Sequence, residues 1–176
     1  MSGRPVARRM VLGGLGAAAA GLRGLAATAA EPLALPRERV ILSISGRIGR
    51  TNAAERAELD RPALEGLGMT AIVTATDWTQ GKKRFEGPLV RDVLDAVGAS
   101  GDSIVAVALN DYKFTIPIAD FRRYPVILAL KMDGAYMSVR EKGPIWIVYP
   151  QDQFPELDTA TTKNKWIWNL RAFEVR

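Results

Sequence analysis

Apolar and polar positions alternate over short runs through most of the chain, and only one stretch keeps a clear helical period. "VILSISGRIG" (40–49) and "MTAIVTAT" (69–76) read as strands, rich in β-branched residues with period-two patterning. "DSIVAVAL" (102–109) is an unbroken apolar run, the signature of a central strand covered on both faces. In "KFTIPI" (113–118) Phe114, Ile116 and Ile118 alternate with Lys113, Thr115 and Pro117, and the proline predicts an edge position. "VILALKMDGAYMSV" (126–139) predicts a strand, a tight Asp133-Gly134 turn and a second short strand. "GPIWIVYP" (143–150) reads as an interior strand. "KWIWNLRAFEV" (165–175) closes the chain with alternation at Trp166, Trp168, Leu170 and Phe173, broken by one register change.

Helical signals are fewer. In "GPLVRDVLDAVGASG" (87–101), Leu89, Val90, Val93, Leu94 and Val97 share one face. Pro88 stands at its start, where a missing amide costs nothing, and Gly98 ends it. "DRPALEGLG" (60–68) predicts one or two turns with Asp60 as N-cap and Pro62 in the first turn. "ADFRRYP" (119–125) is a short helix or turn. "RTNAAERAEL" (50–59) is either a polar excursion or a short helix. "DWTQGKKRF" (77–85) is a polar loop or hairpin, and "QDQFPELDTATTKN" (151–164) a long loop. A strand-rich chain with few short helices predicts an α+β fold.

Composition and charge narrow the function classes. The chain of 176 residues is long enough for one domain with a sizeable core. Its net charge of +5 invites a nucleic-acid reading. Arg4, Arg8, Arg9 and Arg23 lie in an acid-free first thirty residues, however, and the remainder carries 20 basic against 19 acidic residues. So balanced a body offers no general attraction to a phosphate backbone.

Residues 1–30 read as an export signal. "MSGRPVARR" is basic, "MVLGGLGAAAAGLRGLAATAA" is apolar and Ala/Gly-rich, and small residues permit cleavage after Ala29 or Ala30. Arg8-Arg9 resembles a twin-arginine signal, although Ala7 and Val11 depart from that pattern. The expected compartment is the periplasm or another exported space, with no stable membrane span after cleavage. Residues 31–39 form a proline-bearing lead-in, and 40–176 a single domain.

The chain has no cysteine and no histidine, so imidazole and thiolate are excluded as catalysts and as metal ligands. Trp78, with Lys82, Lys83 and Arg84, either receives a planar or anionic ligand or plugs the core edge while the cations stay solvated. Asn110, Asp111 and Tyr112 follow a strand end, where Asn110 and Asp111 suit an Asx-type turn and Tyr112 suits either a packing or a cleft position. Arg140, Glu141 and Lys142 precede Gly143, and Arg140 is the candidate for holding an anion. Tyr149, at the end of the next strand, is placed facing the same cleft. The serines sit in no nucleophile motif, and no phosphate-cradling glycine motif occurs.

Taken in order, "FEGPLVRDVLDAVGA", "VAVALNDYKFTIPIADF", "LALKMDGAYMSVREKGPIWIVYP" and "WIWNLRAFEV" resemble the molybdopterin-binding domain of the sulfite-oxidase-type oxidoreductases, particularly its small, exported, single-domain members. The resemblance covers roughly residues 40 to 176. It implies a mixed α+β fold around a twisted, largely antiparallel sheet. It also implies a cysteine, about ten residues before the aromatic–glycine framework, whose thiolate binds molybdenum. Here that framework is Phe85 and Gly87, and the corresponding place, near Ala75 and Thr76, holds "TAT". A hydroxyl or alkyl group does not replace a soft thiolate.

The expectation is therefore an exported domain of this fold without molybdenum catalysis, binding a small anion or a periplasmic protein partner in the ancestral cleft. Candidate contacts are Trp78, Arg84, Tyr112, Arg140, Lys142 and Tyr149. One alternative is a molybdopterin-dependent oxidoreductase with non-cysteine metal ligation. Another is a structural or assembly protein of the periplasm, using an exposed Trp146, Trp166 or Trp168 as a contact.

Overall fold

The computed structural model describes residues 32–176, and the expected export signal of residues 1–30 lies outside the described residues. Among the described residues, eleven strands and four α-helices enclose one hydrophobic cluster. The larger sheet has the order β2-β1-β11-β5-β6, formed by Arg56–Asp60 (β2), Val40–Gly46 (β1), Leu170–Val175 (β11), Ser103–Ala108 (β5) and Lys113–Pro117 (β6). Its β1–β11 pair is parallel and the others are antiparallel. A second, antiparallel sheet has the order β3-β4-β8-β9, from Thr70–Ala75 (β3), Lys82–Gly87 (β4), Lys131–Met132 (β8) and Ala135–Tyr136 (β9). Ile127–Ala129 (β7) and Trp146–Val148 (β10) make an antiparallel ribbon.

The alternation seen in the sequence maps onto two faces. On β1, Leu42 and Ile44 are wholly buried, while Ile41 and Ser43 point the other way and are half-buried. On β5, Ile104 through Ala108 are all buried, as a doubly covered strand requires. Pro117 ends β6 on the outer edge of its sheet, where the missing amide removes no ladder bond. Asp60 caps the helix Arg61–Glu65 (α1), accepting from the Ala63 amide at 2.9 Å. Val90–Ala96 (α2) buries Val90, Val93 and Leu94, and Ile118–Arg123 (α3) buries Ile118 and Phe121.

Three expectations change. "RTNAAERAEL" holds β2, neither excursion nor helix. Its Ala57 and Leu59 alternate into the core, and the Asn52 side chain accepts from the Glu58 amide at 2.7 Å and donates to the Glu58 carbonyl at 2.9 Å, standing in for a strand partner. The 151–164 stretch is not a plain loop, since it carries a 3-10 turn at Pro155–Leu157 and a helical turn at Ala160–Lys163 (α4). "GPIWIVYP" is buried, but β10 pairs only with β7. The far side of β10 is met by the Ile147 amide donating to the Ile167 carbonyl at 3.0 Å.

The two parts of the second layer meet at Gly87. A Cβ there would lie 1.8 Å from the Leu128 carbonyl oxygen, so only glycine lets β4 cross β7 this closely. No helix among the described residues is long and apolar enough to cross a membrane.

Candidate functional site

The connection between β3 and β4 is a short hairpin loop. Its start is fixed by Thr76, whose hydroxyl oxygen accepts from the Trp78 amide at 3.1 Å and lies 2.8 Å from the Thr79 hydroxyl. Gly81, at φ +63°, turns the chain back into β4. This geometry swings Trp78 inward onto the other three tryptophans. Its ring centroid lies 5.2 Å from that of Trp168, 6.0 Å from Trp166 and 6.2 Å from Trp146. All four tryptophans of the chain thus form one aromatic cluster.

Trp166 and Trp168 reach the cluster because β11 starts only at Leu170. Asn169, in the left-handed region at φ +52°, accounts for the late start. Its side chain donates to the Val139 carbonyl at 2.8 Å and to the Gly143 carbonyl, and its amide donates to the Lys142 carbonyl at 2.9 Å. These bonds peel residues 166–169 off the sheet and lay them beside Trp146. The Lys142 ammonium sits 5.8 Å from the ring centres of both Trp146 and Trp168. The indole N–H groups of Trp146 and Trp166 are buried without a hydrogen-bond partner among the described residues.

Beside the cluster lies a cavity of about 270 Å³. Trp78, Trp166, Trp168 and Ile167 form its apolar wall, and Asn110, Tyr112, Lys163 and Asn164 its polar edge, with Ala108 between. Asn110 makes the expected Asx turn, accepting from the Tyr112 amide at 3.2 Å. The Tyr112 hydroxyl reaches the Asn164 carbonyl at 3.4 Å, and its ring stays 45% exposed over the opening. Lys163 bridges Asp77 at 2.8 Å and Asp158 at 3.2 Å, which ties the hairpin loop to α4. Hydrogen bonding to Asp77, then to Asp158, raises the Lys163 ammonium above its ordinary value, so the cation is held.

The place expected for a metal-ligating thiolate is filled by an internal hydrogen-bond network. The Thr74 hydroxyl donates to Asp152 Oδ1 at 3.0 Å, and the Ala75 amide reaches the same oxygen at 3.1 Å. Lys82 Nζ pairs with Asp152 Oδ2 at 2.9 Å. The Lys82 hydrogen bond is the main reason the Asp152 carboxyl is held below its ordinary value; desolvation opposes it, and the Ala75 and Thr74 bonds add to it. The oxygens of Thr74, Thr76 and Asp152 are therefore all engaged within the chain. Among the described residues no three acidic side chains converge as a metal ligand set. A chain without cysteine or histidine, whose nearby oxygens are so engaged, does not fit a molybdenum centre of the thiolate-ligated kind. The aromatic wall and amide edge do fit a planar heterocycle.

The structure does not bring the six candidate contacts into one cleft. Trp78 and Tyr112 line the cavity. Lys142 lies against the back of the aromatic cluster without lining the opening. Arg84 is on the exposed face of β4, its Nε donating to Glu86 at 2.9 Å and its amide to Asp133 at 3.0 Å. Period-two alternation sends it away from Phe85, which is buried against Trp146 at 5.3 Å. Arg140 is exposed in the 3-10 turn Val139–Glu141. Tyr149 is fully buried, stacked on Trp166 at 6.4 Å and donating to Asp120 at 3.2 Å, with Lys165 on the same carboxylate oxygen at 2.6 Å. Burial, reinforced by Asp120, pushes its phenol far above the ordinary range.

Lys163, Asn164 and Ile167 were not among the candidates. No local motif marks them, because they join Asn110 and Tyr112 only through the fold. Trp146 and Trp166, at 0% and 2% exposed, are not free for surface contact.

Among solved structures, the chain is similar to the sulfane dehydrogenase SoxCD from Paracoccus pantotrophus, with a TM-score of 0.58 and 16% identity. The likeness covers 81% of this chain and 39% of that one, and at this identity it speaks to the fold. A search of curated proteins gives no match. A family model described as the oxidoreductase molybdopterin binding domain matches residues 50–174. With most of its length inside that match, and with the mixed two-layer fold to accompany it, the chain belongs to the family of oxidoreductase molybdopterin-binding domains.

Proposed function

We propose that this protein is an exported binding domain whose aromatic cavity takes a small planar molecule with an anionic or hydrogen-bonding edge, and that it does so without molybdenum catalysis. The observation that carries this reading is the pairing of a tryptophan wall with the amides of Asn110 and Asn164, the Tyr112 phenol and the Lys163 ammonium around one opening. A planar π-system stacks on indole, and the polar groups orient its edge. The network of Thr74, Ala75, Asp152 and Lys82 supports the second half of the proposal, since it leaves no soft donor where family chemistry needs one. Export rests on the basic and apolar leader alone. A periplasmic protein remains an alternative occupant of this surface.

Family membership favours a second reading, in which molybdopterin itself is the planar ligand. The cavity residues named above would then hold the pterin, and the metal would find no protein thiolate.

One preparation tests both readings. The full chain is purified from its native exported compartment, and molybdenum is measured alongside the fluorescence of released pterin. Absence of both supports the first reading. Pterin without molybdenum supports the second. Near-stoichiometric molybdenum with pterin overturns the claim that catalysis at the metal is lost.

A further inference from the structure

A second cavity, of about 230 Å³, opens on the other side of the larger sheet and shares no lining residue with the first. Ala108, Asn110 and Tyr112 line the first cavity, while Leu109, in the turn after β5, lines this second one. Three guanidinium groups, from Arg39, Arg61 and Arg171, line it against a single lining carboxylate, Glu38.

Each arginine is held differently. Arg171 is fixed in place, with Nε donating to the Ala108 carbonyl at 3.1 Å and Nη2 to Asp111 at 2.5 Å. Asp111 therefore neutralises part of its charge. The Arg61 guanidinium carbon lies 4.3 Å from the centre of the Tyr136 ring, a cation–π contact, and the group makes no ion pair or side-chain hydrogen bond among the described residues. The Arg39 side chain is exposed and makes no ion pair or hydrogen bond among the described residues.

Apart from Ser43, the rest of the lining is apolar. Leu109 is 45% exposed and Val139 53% exposed, and the wholly buried Leu170 backs them. Large aliphatic side chains left open next to unpaired guanidinium groups match a ligand with both characters. An inorganic anion would leave the aliphatic wall wet, and a neutral apolar molecule would leave Arg39 unmatched.

We propose that this second cavity binds an amphipathic organic anion, a carboxylate on a short alkyl body, with the carboxylate on Arg39 and Arg61 and the alkyl chain on Leu109 and Val139. The site stands independently of the aromatic cavity and of any cofactor there.

The test is a titration of the full chain, followed by amide NMR, with butanoate, hexanoate, octanoate, octanol and inorganic phosphate. The expected result is saturable shifts at Leu109 and Val139, with affinity rising up to about fourfold per added methylene. Arg39→Gln removes no contact among the described residues, so the fold is expected to hold, which an unchanged thermal midpoint checks. Octanoate affinity is expected to fall about tenfold in that variant. Leu109→Ser is expected to weaken octanoate more than butanoate.

Equal binding of phosphate and octanoate overturns the proposal, as does equal binding of octanol and octanoate. So does an Arg39→Gln variant with unchanged affinity. Shifts confined to the indoles of Trp78 and Trp168 would assign the ligand to the first cavity and overturn the second site, leaving the reading of the first intact.

Discussion

The Thr74 hydroxyl donates to the Asp152 carboxylate at 3.0 Å across 78 residues of chain. This bond ties the end of β3 to the turn after β10, immediately beside Ala75. It occupies the region where the family resemblance calls for a metal-binding thiolate. Thr74→Val keeps the shape and removes the hydroxyl. It is expected to lower stability by about 1 kcal/mol, measured by urea unfolding. No loss of stability would show that the bond carries no weight in the fold.

Part of the acid sensitivity should trace to Asp60 and Asp152. Burial by itself raises the Asp60 carboxyl, but hydrogen bonds from the amides of Ala63, Glu38 and Arg37 outweigh it and leave the group below its ordinary 3.8. Asp152 is lowered too, chiefly by Lys82. A carboxyl lowered on folding contributes stability that is complete above its unfolded value and is lost as pH falls through the folded one. Unfolding midpoints are therefore expected to drop as pH falls through and below the ordinary carboxylate range. Asp60→Asn should flatten part of that drop, and an unchanged acid profile in this variant would count against the assignment.

Lys163 and Lys165 are two residues apart yet should respond very differently to substitution. Lys163 pairs with Asp77 and Asp158, both more than half exposed, so Lys163→Met is expected to cost little and to depend on salt. The Lys165–Asp120 pair is only 14% and 22% exposed and also accepts the buried Tyr149 hydroxyl. Lys165→Met leaves that carboxylate poorly compensated and is expected to cost about 3 kcal/mol. Denaturant midpoints of the two variants compare them directly, and equal costs would contradict the difference in burial.

Trp78 links the aromatic cluster to the cavity. Trp78→Phe keeps a ring in the hairpin and is expected to cost about 1 kcal/mol, within the range for one aromatic pair. Near-ultraviolet circular dichroism should lose the intensity that arises from closely spaced indoles. A planar ligand that quenches tryptophan fluorescence in the native chain should bind the variant several-fold more weakly. Unchanged affinity would remove the stacking role.

Much of the fold was legible in the chain. The alternation of β1 and the continuous apolar run of β5 follow from one buried face and two buried faces respectively. Asp60, Pro88, Gly98 and Pro117 mark element ends because each acts through its own backbone or its nearest neighbours. The strand β2 escaped notice because its partner for Glu58 is partly the side chain of Asn52, and a run of alternating charges resembles a helix face.

The sites divide along the same line. The absence of cysteine and histidine is a property of composition, so the sequence alone excludes a protein thiolate or imidazole on any metal. Trp78 and Tyr112 were recognisable as chemistry-bearing residues near element ends. Only the tertiary structure decided which cavity they share. Strand alternation turned Arg84 to solvent beside a buried Phe85, and the Asn169 contacts carried Trp166 and Trp168 across to Trp78. Lys163 joined them through an ion pair to the distant Asp77, beside a local one to Asp158, while Tyr149 is buried with its hydroxyl on Asp120. Residue type and local spacing are written along the chain, but convergence depends on long-range packing and hydrogen bonds, which no short stretch of sequence contains.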